Sequence, residues 1–581
     1  AAAINTIATQ TQARSQNSNW EVQKDLSLLA DNSSSIQSYT GSAAIAEKAS
    51  LGASGSYNHL GGATLAEVRG GELDANGSVA VEARRSGAVT AAAIAGAGAQ
   101  NLAFAGSIAI NDLGGSTTAR MADGARIRAN KHVLLAAQDD EAISAFAGSL
   151  AISQKIGIGG AVALNDLHAN TTAEIIGSAT LIEAQGLGDA IQIDAGTLST
   201  SNPGASLAAR RKKQAFTGVA VVAASTHQVD SLVATGAIAD KAGVVASVSV
   251  NQLGGTTTAH VSQQATVTSA KAAHVGAYHH DQVLAKAGSL ALSGSGAVGG
   301  AADSTILSHA TAAKVDDATL DAHDAVTVDA GSGAMAQQMV AGVSLSGKVG
   351  VAGSTAVLLA NGSTRASTNH ATLRSVNDGL RITATSAISS KPIVGSASIN
   401  GQAAVGASVI VAVLDQATTA SANGASQLSA DSAVVLAAVA QQTLNSYAPT
   451  AALSGSLGVA GTVVVTELKG STEAVVDGTS TLKQTRTDGS AQGVSVTATQ
   501  TSTVNNKLGG LTLTGSVSLG AVADVILVND NASARIADSA VLASGRDITV
   551  AASNTRKLDS LTLAGAVSGT GAISGSVSYI N

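Results

Sequence analysis

The sequence predicts an all-β chain wound as a right-handed parallel β-helix, a β-solenoid of about ten repeats of 53–54 residues. Three observations predict it: a long internal period, an interior built from small aliphatics, and period-2 alternation with almost no helical patterning. The period is read from the alanine after a Thr pair, Ala173, which recurs at Ala13, Ala66, Ala119, Ala259, Ala313, Ala366, Ala420, Ala474 and Ala534. Successive spacings are 53, 53, 54, 86, 54, 53, 54, 54 and 60 residues. Two positions earlier stands Thr in nine copies (Thr11, Thr64, Thr117, Thr171, Thr257, Thr311, Thr364, Thr418, Thr472) and Ala532 in the tenth. A period held this long is the signature of stacked repeats.

Composition agrees. Hydrophobic residues make up 45% of the chain but aromatics only 2%, so Ala, Val, Ile and Leu must do the burying. That suits a thin core stacked layer on layer better than a globular one, where large rings supply much of the buried area. The 63 Gly and 3 Pro imply many tight corners and few surrendered backbone N–H groups. Charged residues are 12%, with a net charge of −7, so no broad basic surface awaits nucleic acid, and Ser, Thr, Asn and Gln are expected to cover the outside. The absence of Cys excludes disulfides and zinc–thiolate sites. The most apolar stretch, 88–110, is broken by Gln100, Asn101 and several glycines and does not read as a transmembrane helix.

Each repeat reads in the same order. A short strand follows the landmark (179–184, 265–270, 371–375), then a V-x-V strand (Val79/Val81, Ile191/Ile193, Val326/Val328, Val494/Val496, Ile548/Val550). An Ala/Gly/Ser-rich run such as 143–153 comes next, and a GxGGAVALNDL-like strand returns to the Thr pair. Five or six strands per repeat suggest two coils of about 27 residues each, with three shorter coils as the alternative. About 20 coils at about 4.8 Å would give a rod on the order of 100 Å long. The repeated Thr reads as a turn device bonding the corner backbone.

The whole of 1–581 is expected to be one continuous solenoid, cut from a longer array whose caps lie outside it. Two places break the period. An inserted loop over 196–227 carries a turn at SNPG, a short helix in SLAARRKKQA and one extra strand at AFTGVAVV. Its basic run, Arg210, Arg211, Lys212 and Lys213, is the candidate contact for an acidic partner or lipid, against the plainer reading of a solvated face. The second break, 483–493, reads as a surface loop.

The stretches AINDLGGSTTARM (109–121), ALNDLHANTTAEI (163–175) and VNQLGGTTTAHV (250–261) carry a family likeness. In texture and repeat type, essentially the whole chain resembles the shafts of large bacterial exoproteins. These are the filamentous-haemagglutinin-like and leukotoxin-like adhesins of two-partner secretion, and autotransporter passengers. The resemblance implies a secreted fibre on the bacterial cell surface, exported through an outer-membrane transporter. Its partners would be a host or neighbouring-cell surface, an extracellular matrix polymer, or further copies of itself, serving adhesion, aggregation or biofilm.

The remaining motifs carry little chemistry. Gly294, Gly296 and Gly299 spell G-x-G-x-x-G but sit at the repeat's glycine-rich corner, without the βαβ frame a dinucleotide needs. Tyr278-His279-His280-Asp281 is the densest ligand-like run, but neighbours on a strand face opposite sides, so it reads as a polar loop and not a metal centre. The carboxylate pairs Asp139/Asp140 and Asp316/Asp317 raise the rival reading of a polysaccharide-degrading or polysaccharide-binding β-helix. They lie in non-equivalent parts of the repeat, and one Trp, five Tyr and three Phe are few for gripping sugars. No catalytic residue, cofactor or metal is therefore expected, and the leading expectation is a structural shaft, with a self-assembling filament subunit as a further alternative.

Overall fold

The structure, a computed structural model, describes residues 1–202, 204–488 and 492–581. It is a parallel β-helix. One coil runs Ala49–Arg69, Glu72–Ala75, Val79–Ala99, and the next runs Leu102–Ala122, Arg126–Ala129, Val133–Ser153. Each strand pairs in parallel with its equivalent in the next coil: Ala66 with Ala119, Leu73 with Ile127, Val79 with Val133. Three sheets result, two broad ones of 11 and 10 strands and a narrow one of 10. Coils are numbered here from the chain start, each beginning on the first broad sheet.

The pairing step is the repeat itself, so one repeat makes one coil, not two or three. Runs taken for separate strands belong to single strands of 21 residues. The glycines in NDLGGSTTA bend a strand without ending it: Gly115 has φ +159°, and a Cβ there would meet the Gly62 carbonyl oxygen at 2.4 Å and the Arg85 guanidinium at 2.5 Å. Real corners follow the first broad strand, where Asn17, Asp123, Asp317 and His370 take left-handed φ of 48–52°. The proportions change accordingly. Ten coils stack to about 50 Å, half the expected rod, while 21-residue strands run about 70 Å, giving a slab wider than it is tall.

The interior is layered along the strands. Beside the narrow sheet, Leu73, Val79, Val81, Met121 and Ile127 form one apolar compartment. Further along, Val89, Leu113, Ile143 and Leu167 form a second. Towards the far edge small residues predominate, such as Ala95, Ala103 and Ala105, with Val245 among them. Between the first two compartments runs a polar seam. The repeated Thr lies here, buried in mid-strand and not at a turn, and it bonds across to the opposite broad sheet. Ser225–Thr257, Ser332–Thr364 and Ser386–Thr418 are each 2.6 Å apart, and Thr472 donates to Gln500 at 2.6 Å. A second polar line runs along the stack. Asn5, Asn58, Asn111, Asn165 and Asn251 each donate to the next side chain up, at 2.8–3.1 Å, ending on Asp303. A buried amide that both donates and accepts leaves few unmet bonds, so the ladder is tolerated inside.

The outer faces are not the polar cover that composition suggested. Beside the far edge, columns of large apolar side chains stand exposed or half-buried. One joins Ile152, Ile238, Leu292, Leu345, Ile399 and Leu453 in register; another joins Phe104, Ile158, Val244, Val298, Val351 and Val405. Ile152 is 49% exposed and Val298 44%. Larger aliphatics stand outside there than inside.

Candidate functional site

The chain departs most from its repeat in coils 2–6, on both faces of the second broad sheet. The insertion enters at the corner after Leu181–Ala184 and is over by Gly218, so it fills 185–217 instead of 196–227. Ile191–Leu198 and Arg211–Phe216 pair antiparallel as a two-stranded flap, joined through a one-turn helix, Leu207–Arg210, capped by Ser206. Pro203, within the SNPG turn, lies outside the described residues. Ile191/Ile193 belong to this flap, and Val219/Val221 hold the V-x-V place in coil 4. The second break falls between Thr481–Gln484 and Gly493–Thr514; its residues 489–491 lie outside the described residues.

The flap lies against the outer face of the sheet. Ile193 packs with Ala220, Val222, Ala224 and Tyr278. Arg211 pairs with Asp140 at 2.6 Å and lies 3.6 Å from Asp194. Arg210 is buried and donates to the Ser199 carbonyl at 3.1 Å. Three of the four basic residues are thus engaged within the chain: Lys213, though exposed, lies 3.7 Å from Asp194, and Lys212 is exposed. Between flap and sheet is a cavity of about 600 Å³, lined by Gly196, Tyr278, His280, Asp329 and Met335 among others. Tyr278 donates to Asp329 at 3.1 Å. Burial lowers both His274 and His280 to about 4, with the neighbouring His279 adding to the effect on His280, so both are neutral imidazoles at pH 7.

On the inner face of the same strands the polar seam becomes ionisable. Arg85 in coil 2 reaches Asp139 at 3.3 Å and Glu141 at 2.5 Å in coil 3. Stacked above them are His227 in coil 4 and Asp281 in coil 5, in register with Glu141. His279 is in register with Ser225, and His309 enters from the opposite broad sheet in coil 6. One ring nitrogen from each of His227, His279 and His309 lies within 4.8 Å of the others. His279 and His309 stack with ring centroids 3.3 Å apart. Asp281 lies 2.8 Å from His279 and 3.4 Å from His227.

Burial and neighbouring charge set the protonation of this group. Burial, then the Asp139 charge, pushes Glu141 up to about 8 against the pull of Arg85. Burial also raises Asp139, opposed by Arg85 and Thr117. Asp281 is driven up by burial, but His279 and His227 overcome this and hold it well below the usual carboxylate range. Burial opposes the charged form of His227, yet Asp281, Glu141 and Asp139 raise it overall. Burial lowers His279 and His309. These groups are sealed from solvent: Asp139 and His227 are 0% exposed. They can hold a proton or an ion but cannot reach a polymeric substrate.

The other motifs fall apart or resolve into strand. Tyr278–Asp281 lies within Ala272–Ser293 and is not a loop; His279 and Asp281 point in, Tyr278 and His280 out under the flap. Asp139 points in while Asp140 meets Arg211 and Thr226 outside. Asp316 bonds His260 at 2.9 Å, and Asp317 turns a corner far from the first pair. Gly294 precedes a strand, Gly296–Asp316, and not a helix. Sequence reading missed His227, His309, Arg85 and Glu141. One signal was present: the residues 54 before His279 and Asp281 are Ser225 and His227, which stack on them.

Comparison of the chain with protein-family models, with curated proteins and with solved structures gives no match.

Proposed function

We propose that the chain is the structural shaft of a secreted, cell-surface fibrous adhesin serving attachment, aggregation or biofilm formation. The observation that carries this reading is the unbroken stack. Ten coils pair in register along both broad sheets, and the polar groups inside are spent on tying coil to coil and sheet to sheet. Such a body holds a shape and transmits load through backbone ladders, since each coil is anchored by its two neighbours. The likeness to exoprotein shafts adds the cellular setting.

The test is a coil deletion in the producing cell. Removing Ala313 through Arg365 brings Ala366 directly after Ala312, and Ala366 is the ladder partner of Ala313, so strands rejoin in register. The expected outcome is normal surface display and retained adhesion, with the stack shorter by one coil, about 4.8 Å. Loss of adhesion with normal display would place a specific receptor site in the removed coil and overturn the shaft reading.

A second reading, a self-assembling extracellular filament subunit, is favoured by the aliphatic columns on the outer faces. Contiguous exposed apolar surface of this extent marks an interface in soluble proteins.

A further inference from the structure

We propose that His227, His279 and His309, with Asp281 as fourth ligand, form a buried site for a divalent transition metal of the zinc class. The three histidines come from three successive coils and both broad sheets, yet they present one nitrogen each within 4.8 Å of the others. A tetrahedral zinc ion with bonds of about 2.0–2.1 Å needs its ligand atoms roughly 3.4 Å apart. The nitrogens must therefore draw in by up to about 1.4 Å, within reach of side-chain rotations.

Orientation is the second argument. His279 Nδ1 is held by the Ser225 hydroxyl at 2.7 Å, and His309 Nε2 by the Thr257 hydroxyl at 2.9 Å. Those two hydroxyls are themselves 2.6 Å apart. One nitrogen of each ring is therefore fixed from behind, which leaves His309 Nδ1 open and sets His279 Nε2 against Asp281 Oδ1 at 2.8 Å. This is the arrangement by which metal-bound imidazoles are usually oriented.

The third argument is what is left unmet. Nε2 of His227 and Nδ1 of His309 are buried without a hydrogen-bond partner, while Asp281 Oδ1 is shared between His279 Nε2 at 2.8 Å and His227 Nδ1 at 3.4 Å. Buried ring nitrogens left without a partner are costly and are rarely kept without a ligand. A single cation among them satisfies one atom of every ligand. Three imidazoles and a carboxylate, with no thiolate in the chain, suit zinc, cobalt or nickel better than a soft or an oxygen-seeking ion. Because the site is closed, the ion enters as the coils assemble and staples coils 4, 5 and 6 together.

The experiment uses the untagged chain, unfolded with a chelator, refolded with Zn²⁺ or Co²⁺, then washed with chelator to strip exposed histidines. The expected result is about one ion retained per chain and, for Co²⁺, the intense visible absorption of a tetrahedral site. His309→Gln should lose both the retained ion and the absorption. Hydrogen exchange at 225–229, 279–283 and 307–311 should slow with metal in the parent alone. Failure of the parent to retain metal or to show the tetrahedral cobalt spectrum overturns the proposal, whether or not the variant folds. So does a folded His309→Gln with unchanged metal content and spectrum.

Discussion

Asp303 sits where the asparagine ladder ends, and it shows how single residues carry this interior. Its carboxylate accepts from Asn251 at 3.1 Å and from Gln338 of the opposite sheet at 2.6 Å. Burial nevertheless raises its pKa to about 6, because those hydrogen bonds only partly repay the lost water. In the unfolded chain the group titrates near 4, so between about pH 4 and 6 the folded state binds the extra proton. Its contribution therefore makes the chain more stable as pH falls through 6, by an amount on the order of 2–3 kcal/mol, and is flat below about 4. Asp303→Asn should remove this increment, so the difference between parent and variant in denaturation midpoint should change with pH over that window. An unchanging difference from pH 7 to pH 4 would contradict the assignment. At this scale the sequence was readable where the repeat imposed it: the Asn and Thr columns were both visible. What they faced was not. A buried Thr bonding across to Ser386 or Gln500 looks like a turn residue until the opposite sheet is in place, because the partner lies 28 or 32 residues away.

At the scale of elements, the flap is the part whose sequence misled most. Ile191 and Ile193 have the spacing of the repeat's V-x-V strand, and the following Val219/Val221 could equally be an addition. Alternation alone cannot tell a flap strand from a coil strand, since both bury one face. Only the ladder decides, and it gives Val219 to Val133 and Ile191 to Phe216. The basic run was legible as charge but not as structure: Arg211 is 3% exposed at its side chain because Asp140 and Asp194 receive it. Removing one member of a buried pair leaves an uncompensated charge and costs about 3–5 kcal/mol. Arg211→Ala should therefore loosen the flap and leave the solenoid intact, because Gly218–Ala239 keeps its ladders to both neighbouring coils. The expected readout is faster hydrogen exchange over 191–198 and 211–216 with little change in Val133–Ser153. Uniform acceleration of the whole stack, or none in the flap, would refute this division. Both missed histidines were hidden for the same reason. His227 and His309 meet only when coils 4 and 6 are stacked across two sheets, and nothing local marks either as a ligand.

For the molecule as a whole, fold class was legible and proportion was not. The period gave a parallel stack, but glycine-rich stretches inside long strands were read as corners, which doubled the number of coils and turned a slab into a rod. The placement of polarity also ran against composition. Ser, Thr and Asn fill inward positions at the seam and the far edge, while Ile, Leu and Val stand outside there. Ser247, Ser249 and Ser398 are buried to 1% exposure or less, whereas Ile238 is 45% and Leu290 42% exposed. Small inner side chains let the two sheets approach closely, so bulk has been moved to the surface. That surface is large. A band of about 20 Å along ten coils of about 4.8 Å covers on the order of 1,000 Å² per face, more than the roughly 800 Å² each partner buries in a standard stable interface. Face-to-face packing of two such bands would interlock aliphatic columns much as two sheets of a sandwich do. The expected outcome is reversible lateral association of the isolated chain, strengthened by salts that favour apolar burial and weakened by a single charge in the band. Ile399→Glu is the variant of choice, because Ile399 is 46% exposed and its loss leaves no interior cavity. Sedimentation should shift from associated species towards the monomer, by roughly tenfold in the dissociation constant for each 1.4 kcal/mol lost. Far-UV circular dichroism should stay the same. If parent and variant sediment alike at every concentration, the aliphatic bands do not drive self-association, and the filament reading falls while the shaft reading stands.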